Sequence, residues 1–485
     1  MIYLLVLLQA VLVNLVVSVS QHPVLLIVSY DAFRYNYFDK NGSRYMEKLR
    51  KEGTYADYMI NVFPTKTFPN HHSIATGLFA ESHGVVDNSF HDPKLKEFIS
   101  IKNEKMWHYN DDILPIWALN ERAGNTRYSG SMMWPGASYK YQNKRVTHLK
   151  EWEYNYDWHK RVDTVISWIK DPSKPANLVM LYFEEPDSEG HVFGPESDVV
   201  FRTIQKLDNI TQYLDEQIKA NKLKDVVNVV HLSDHGMTTV KTPNLIDITK
   251  NLKPNTYEIT GGTPCLHIIP NAENLEEAYT NLKKASKDNG HFNVYKKKDL
   301  PQKWHFKENR RTPPIFLLAD EGYGFQDLLE NGKEYAKKYN VEFNENSSFG
   351  VHGYDNELPD MHPFFMARGP MIKVAHKVPP FHSVDLYNLF CNILDLKAQP
   401  NNGTFANVRD ILAATKPSSG LSTLGIAVGA VVAAILFIGC GAAITLFLIK
   451  RQQSITTAAA LNKRFPQTFS NANIEAQHLL EPEDA

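Results

Sequence analysis

Cysteine is scarce in this chain, with only Cys265, Cys391 and Cys440 among 485 residues. That scarcity excludes disulfide-dense accessory modules, which need many closely spaced pairs. Cys265 and Cys391 read as lone buried thiols, the alternative being one pair, and Cys440 falls in an apolar segment near the carboxyl end. An excess of charge of one sign is missing too. With 52 basic and 54 acidic residues the formal charge is −2, so polymeric nucleic acid is not expected as a partner. No internal repeat is found. Away from its ends the chain also lacks the low-hydrophobicity, high-charge composition of disorder. At 43% apolar and 22% charged, it can bury a large core.

Two long apolar segments stand near the ends. The first spans residues 1–20 and closes on small residues. It reads as a secretory signal peptide cleaved near Ser20, although its first residues lack lysine and arginine. The second, residues 424–449, is uncharged, is followed by Lys450 and Arg451, and exceeds the roughly 20 residues a bilayer span needs. Positive charge beyond it places that side in the cytosol. A glycosylphosphatidylinositol signal is the alternative, but such signals end in their apolar tail. The expected order is a signal peptide (1–20), an extracellular catalytic body (21–415), a linker (416–423), one transmembrane helix (424–449) and a cytoplasmic tail (450–485). The chain would then be a single-pass type I protein of the cell membrane. Four Asn-x-Ser/Thr sites, at Asn41, Asn209, Asn346 and Asn402, all lie in the body and are candidate glycosylation positions. In the tail, Glu475, Leu479 and Leu480 have the form of an acidic dileucine signal for a clathrin adaptor and endosomal cycling, the alternative being a chance Leu-Leu pair.

Within the body, residues 23–29, 177–183 and 226–232 are predominantly apolar runs of strand length, the first without alternation. Such runs suit parallel strands covered on both faces, and so an α/β fold. Each is followed by metal-ligand chemistry: Asp31 after the first, Asp187 and His191 after the second, Asp234 and His235 after the third. Ligands gather beyond the carboxyl ends of strands in open α/β sheets. Asp187 and His191 can converge across a helical turn or a tight loop, and Pro186 and Gly190 favour the loop. Taken alone, Asp234-His235 reads as a capping pair or a surface loop. His352 stands between glycines at 350 and 353 that let backbones approach closely.

Thr67, in the stretch Val62-Phe63-Pro64-Thr65-Lys66-Thr67-Phe68-Pro69-Asn70-His71-His72, is the candidate nucleophile. A threonine hydroxyl needs a base or a metal ion to draw off its proton. By itself Thr67 reads as a loop threonine between prolines. Asn88 is a candidate oxyanion donor or an ordinary turn residue. Six nitrogen and oxygen ligands without a thiolate suit two zinc ions. Two metals about 3.5–4 Å apart, with a hydroxyl nucleophile, point to phosphoryl or sulfuryl transfer. Residues 238–348 carry the weakest signals. Runs at 264–270 and 315–319 read as strands, and Tyr295 to Asp299 as a solvated charged face.

Asp31, the run Thr65 to His71, Glu185 to His191, Ser233 to Met237 and Gly350 to Asp355 together closely resemble the ectonucleotide pyrophosphatase/phosphodiesterases, in motif order from about Val24 to Leu412. The likeness is greatest to the short type I membrane subgroup, members four and five. It implies an alkaline-phosphatase-like fold, a central, mostly parallel sheet sandwiched by helices. It also implies one zinc at Asp187, His191 and His352 and another at Asp31, Asp234 and His235, with Thr67 at the second zinc as nucleophile. Asn88 would share the oxyanion role with the Thr67 amide. Phe68 and Tyr154 would sandwich a nucleotide base, with Trp134 lining the same pocket. The implied activity is hydrolysis of nucleotides or dinucleotides through a phosphorylated threonine. The alternatives are a choline-phospholipid phosphodiesterase and a surface recognition protein with a vestigial site.

Overall fold

The run Val24–Tyr30 is the fifth of eight strands in the central sheet and is buried along its whole length. The computed structural model describes residues 19–40, 42–414, 435, 436 and 438–456. The strand order is His376–Val378, Thr54–Ala56, Phe365–Arg368, Val227–Leu232, Val24–Tyr30, Leu178–Phe183, Ser129–Met132 and His148–Lys150. Val24–Tyr30 runs parallel to both neighbours, with Leu25 opposite Leu178 and Val24 opposite Val227. Phe365–Arg368 is antiparallel to both of its own neighbours, so the sheet is mixed and mostly parallel as expected.

Successive side chains of a strand point to opposite faces, and here both faces are covered. Val24, Leu26, Val28 and Tyr30 share a core with Met46 and Leu49 of helix Arg44–Glu52, Val162 and Val165 of Trp158–Ile169, and Ile204 and Leu207 of Asp198–Ala220. Leu25 and Ile27 pack on the other side with Ile74 of helix Thr67–Thr76, Trp117 of Ile116–Arg122 and Phe390 of Leu386–Ile393. The buried positions 162, 165, 166 and 169 follow the helical period, which is why one stripe of Trp158–Ile169 meets the sheet. That helix starts where the Asp157 side chain accepts the Lys160 N–H at 2.9 Å. Truncating a core residue such as Leu26 to alanine costs roughly 2–5 kcal/mol.

Residues 257–319 build a second, antiparallel sheet in the order Tyr257–Gly262, Cys265–Pro270, Ile315–Ala319, Phe292–Lys296, backed by helix Leu275–Asn289 with its own core. The strands read at 264–270 and 315–319 are present. Lys296 pairs with Glu276 at 2.7 Å. Cys265 and Cys391 are both free and buried.

The chain divides into two units, Met1–Lys416 and Pro417–Ala485. In the second, residues 438–456 are helical. Among the described residues no helix is long and apolar enough to cross a membrane. Residues 424–434 and 437 of the expected span at 424–449 lie outside the described residues. So do signal-peptide residues 1–18, Asn41, the linker 416–423 and the tail residues Glu475, Leu479 and Leu480.

Candidate active site

Parallel pairing puts the carboxyl ends of Val227–Leu232, Val24–Tyr30 and Leu178–Phe183 side by side at one edge of the sheet. Asp31, the Asp187–His191 pair and Asp234-His235 follow those three ends directly. His352 arrives by another route. It follows strand Ser348–Val351, which pairs antiparallel with Thr238–Lys241 just after His235, with Val351 opposite Thr238. The rings of His235 and His352 therefore stack, with centroids 3.6 Å apart and planes at 10°.

One local expectation is corrected here. Asp187 and His191 lie on one turn of a helix, Asp187–Phe193, rather than in a loop. Pro186 sits at the helix N-cap, where its missing N–H costs nothing. The Gly190 N–H donates to the Pro186 carbonyl at 2.8 Å. Glycine at 350 has a steric reason: a Cβ there would stand 2.2 Å from the Gly190 carbonyl oxygen.

The six side chains form two groups, Asp187 with His191 and His352, and Asp31 with Asp234 and His235. Asp187 Oδ1 is 3.4 Å from His191 Nε2 and 3.5 Å from His352 Nε2. His235 Nε2 is 3.4 Å from Asp31 Oδ1 and 3.1 Å from Asp234 Oδ2. Each histidine is oriented from behind, with Nδ1–H donating to a backbone carbonyl: His191 to Gly350 at 2.7 Å, His235 to Gly236 at 2.9 Å and His352 to Thr65 at 2.8 Å. That tautomer leaves Nε2 with a free lone pair, the usual arrangement of a metal-binding imidazole.

The carboxylates show what the site is built to hold. Asp31 Oδ1, Asp187 Oδ1 and Asp234 Oδ2 are buried and lack hydrogen-bond partners. The second oxygens of two of them are satisfied: Asp31 Oδ2 accepts from the Tyr182 hydroxyl and Asp234 Oδ1 from the Ala32 N–H at 3.2 Å. Burial, then the Asp234 and Asp187 carboxylates, pushes the Asp31 carboxyl well above its usual range. Burial lowers His235 and His352, which keeps both imidazoles neutral. Three convergent acids with orphaned oxygens beside neutral imidazoles fit bound cations, which relieve both the repulsion and the missing contacts.

Thr67 opens helix Thr67–Thr76, and its Oγ1 lies 3.3 Å from His235 Nε2. It is therefore beside the Asp31 group. The turn before it is held by Asn70, whose Oδ1 accepts the Val62 N–H at 2.8 Å while Nδ2 donates to the carbonyls of Val62, Pro64 and Lys66. His71 braces the helix from below, with Nδ1 donating to the Thr67 carbonyl at 2.9 Å and Nε2 meeting Ser29 Oγ at 2.9 Å. Asn88 Oδ1 accepts the Phe68 N–H at 3.0 Å, so both N–H donors of its amide remain for another partner.

The expected aromatic residues are placed less uniformly. Phe68 is half-buried, with its ring edge-on to Trp107 at 5.9 Å. Tyr154 is 52% exposed, its ring beside Trp152 and under the Lys338 ammonium, and it does not touch Phe68. Trp134 is 2% exposed and stands edge-on to His71 at 5.0 Å, within the core. Tyr182, Asn70 and His71 hold the site but had no role assigned from sequence. A tyrosine in an otherwise apolar buried strand signals a needed hydroxyl partner. Tyr335, whose ring lies 6.4 Å from that of His191, gave no such signal.

Comparison with known proteins gives a concordant result. The model of the type I phosphodiesterase/nucleotide pyrophosphatase family matches residues 25–355. Human ectonucleotide pyrophosphatase/phosphodiesterase family member 5 is 37% identical over 397 residues, covering 81% of this chain and 78% of that protein. Human bis(5'-adenosyl)-triphosphatase ENPP4 is 36% identical over 397 residues, covering 81% and 83%. Among solved structures, human family member 5 superposes with a TM-score of 0.73 at 36% identity, over 81% of this chain and all of that one. An inactive threonine-to-alanine variant of murine member 5 in complex with AMP gives the same TM-score at 35% identity, with the same coverage.

Proposed function

Because this chain belongs to the type I phosphodiesterase/nucleotide pyrophosphatase family, we propose that it is a two-zinc hydrolase that cleaves phosphodiester or pyrophosphate bonds of nucleotides or dinucleotides. One observation carries the reading: two three-ligand groups with orphaned carboxylate oxygens lie beside the Thr67 hydroxyl. Their oxygen and nitrogen donors, without a thiolate, suit zinc. When bound, the zinc ions would lower the pKa of the Thr67 hydroxyl and take up charge on the phosphoryl oxygens.

The protein's own residues do the rest. Thr67 Oγ1 attacks phosphorus as the bond to the departing oxygen breaks, leaving the nucleotidyl group on Thr67. Water then cleaves the Oγ1–P bond and restores the hydroxyl. The Asn88 amide and the Thr67 backbone N–H, at the start of a helix whose dipole favours negative charge, stabilise the charged oxygen between the two steps. Phe68 stacks on the base, with Tyr154 as the second aromatic of the pair. The murine relative inactivated by a threonine-to-alanine change and bound to AMP supports both the nucleophile and the nucleotide.

The same reading places the body outside the cell, anchored by one span at 424–449. Asn209, Asn346 and Asn402 are exposed, which suits glycosylation there and, with Asn41, an extracellular body. Glu475, Leu479 and Leu480 would engage a clathrin adaptor from the cytosol.

The test is zinc content by mass spectrometry, with turnover of a nucleotide p-nitrophenyl ester, a diadenosine polyphosphate and a phosphocholine p-nitrophenyl ester. Two zinc ions per chain and turnover of the first two substrates are expected. Preference for the phosphocholine ester would move the assignment to lipids, and no zinc with no turnover would leave a recognition protein.

A further inference from the structure

Behind the nucleophile lies a set of buried polar groups that the proposed reaction does not use. Lys66 directly precedes Thr67 and is 7% exposed, and its Nζ donates to the carbonyls of Gly262 and Thr263 at 3.1 and 2.7 Å. Those carbonyls belong to the turn joining strands Tyr257–Gly262 and Cys265–Pro270 of the smaller sheet. Asp87, 1% exposed, directly precedes Asn88 and meets the same hairpin. Its Oδ1 accepts the Asn88 backbone N–H at 2.6 Å, and its Oδ2 lies 3.4 Å from His267 Nε2 on strand Cys265–Pro270. Neither Asp87 Oδ2 nor His267 Nε2 has a hydrogen-bond partner.

The turn itself is held from two sides. Gly261 has φ +77°, and a Cβ there would come within 2.8 Å of the Cys265 carbonyl oxygen and 3.4 Å of Asp87 Oδ2. The Thr263 N–H donates to Asp327 Oδ2 at 2.8 Å, and its hydroxyl to Asp327 Oδ1. Burying an ammonium and a carboxylate is unfavourable unless each is well partnered. What the two share is their place: each stands one residue before a candidate catalytic group and meets the same hairpin, Lys66 at its turn and Asp87 at His267 of its second strand. The Phe68 N–H to Asn88 Oδ1 bond, at 3.0 Å, closes the loop between the two segments.

The geometry points to Lys66 and Asp87 as positioning residues that hold Thr67 and Asn88 against the Tyr257–Pro270 hairpin, Lys66 by its bonds to the turn and Asp87 by its place beside His267, and so set the gap in which the transferring phosphoryl group sits. This inference rests on Thr67 as nucleophile and Asn88 as donor. A displacement of about 1 Å at a reacting centre can lower a rate about a hundredfold, so the turn acts on the transfer step rather than on nucleotide affinity.

The experiment compares full-length wild type with Lys66→Met, Lys66→Arg and Asp87→Asn. For Lys66→Met and Asp87→Asn, kcat should fall ten- to a hundredfold while KM stays within threefold and bound metal is unchanged. Lys66→Arg, which keeps a buried cation with donors, should recover most of the rate. In parallel, orthovanadate, which mimics five-coordinate phosphorus, should bind at least tenfold more weakly to the two impaired variants, with the Kd for AMP unchanged. The vanadate arm needs no turnover. A wild type without diester hydrolysis would count against the proposed function while leaving this comparison intact. Unchanged kcat and vanadate affinity in both variants would overturn the inference, as would parallel loss of AMP binding and metal. Should Lys66→Met or Asp87→Asn fail to fold, Gly261→Ala shifts the turn while keeping both charges and should show the same split between kcat and KM.

Discussion

His235 and His352 stack face to face with centroids 3.6 Å apart, yet each belongs to a different ligand group. The stacked rings form a shared wall between the two candidate ion positions. Each ring is held by its own backbone carbonyl, at Gly236 for His235 and at Thr65 for His352. Since Thr65 lies two residues before Thr67, the second anchor ties one ligand group to the nucleophile's loop.

Removing the metal should destabilise the protein. Without cations, Asp31, Asp187 and Asp234 keep orphaned buried oxygens and repel one another. A ligand at about 1,000 times its Kd contributes about 4 kcal/mol to the folded state. Thermal unfolding with and without a chelator should show a clear drop in Tm, reversed by zinc. An unchanged Tm would mean that the cluster is stable without ions.

Thr67→Ala should abolish diester hydrolysis and leave bound metal nearly unchanged, because the six ligands remain. Thr67→Ser keeps a hydroxyl at the start of the same helix and should retain part of the activity. Turnover close to wild type in Thr67→Ala would remove Thr67 from the nucleophile role.

Phe68→Ala should raise KM for nucleotide substrates by an amount worth roughly 1–3 kcal/mol, with much less effect on a substrate that lacks a base. Because Phe68 also rests edge-on against Trp107, equal losses on both substrates would assign it to supporting the loop. Steady-state kinetics on the two p-nitrophenyl esters separates these outcomes.

Acid should weaken the fold through histidines outside the metal groups. Burial lowers His72, His231 and His267 from the ordinary 6.5 to about 3 each. Below pH 6.5 the unfolded chain takes up protons on these residues that the folded protein refuses. The stability they contribute is complete above pH 6.5 and declines as pH falls toward 3. For one such residue the full effect is on the order of 5 kcal/mol. His72 is the cleanest probe, since neither ring nitrogen has a hydrogen-bond partner. Urea unfolding of His72→Phe between pH 7 and 4 should show a shallower loss than wild type, and parallel curves would exclude His72 as a source of acid sensitivity.

The sequence by itself determined the sheet's centre and where its chemistry sits. Val24–Tyr30, Leu178–Phe183 and Val227–Leu232 are predominantly apolar on both faces, as suits strands covered from both sides. Polar ligands placed just beyond them must then lie at one edge. What the tertiary structure decided depends on contacts between distant segments. Proline and glycine suggested a loop at 186–190, yet packing of Gly190 against Met237 and the ribbon at Gly350 accommodates a helix there. Strands Tyr257–Gly262 and Phe292–Lys296 carry mixed, half-exposed side chains, so their local pattern is weak and their pairing partners supply the order. The family resemblance puts Trp134 in the base pocket, but its burial edge-on to His71 sets it in the core. The turn Gly261-Gly262-Thr263 is remote in sequence from Thr67 and Asn88, and only folding brings its carbonyls to Lys66 and its hairpin to Asp87.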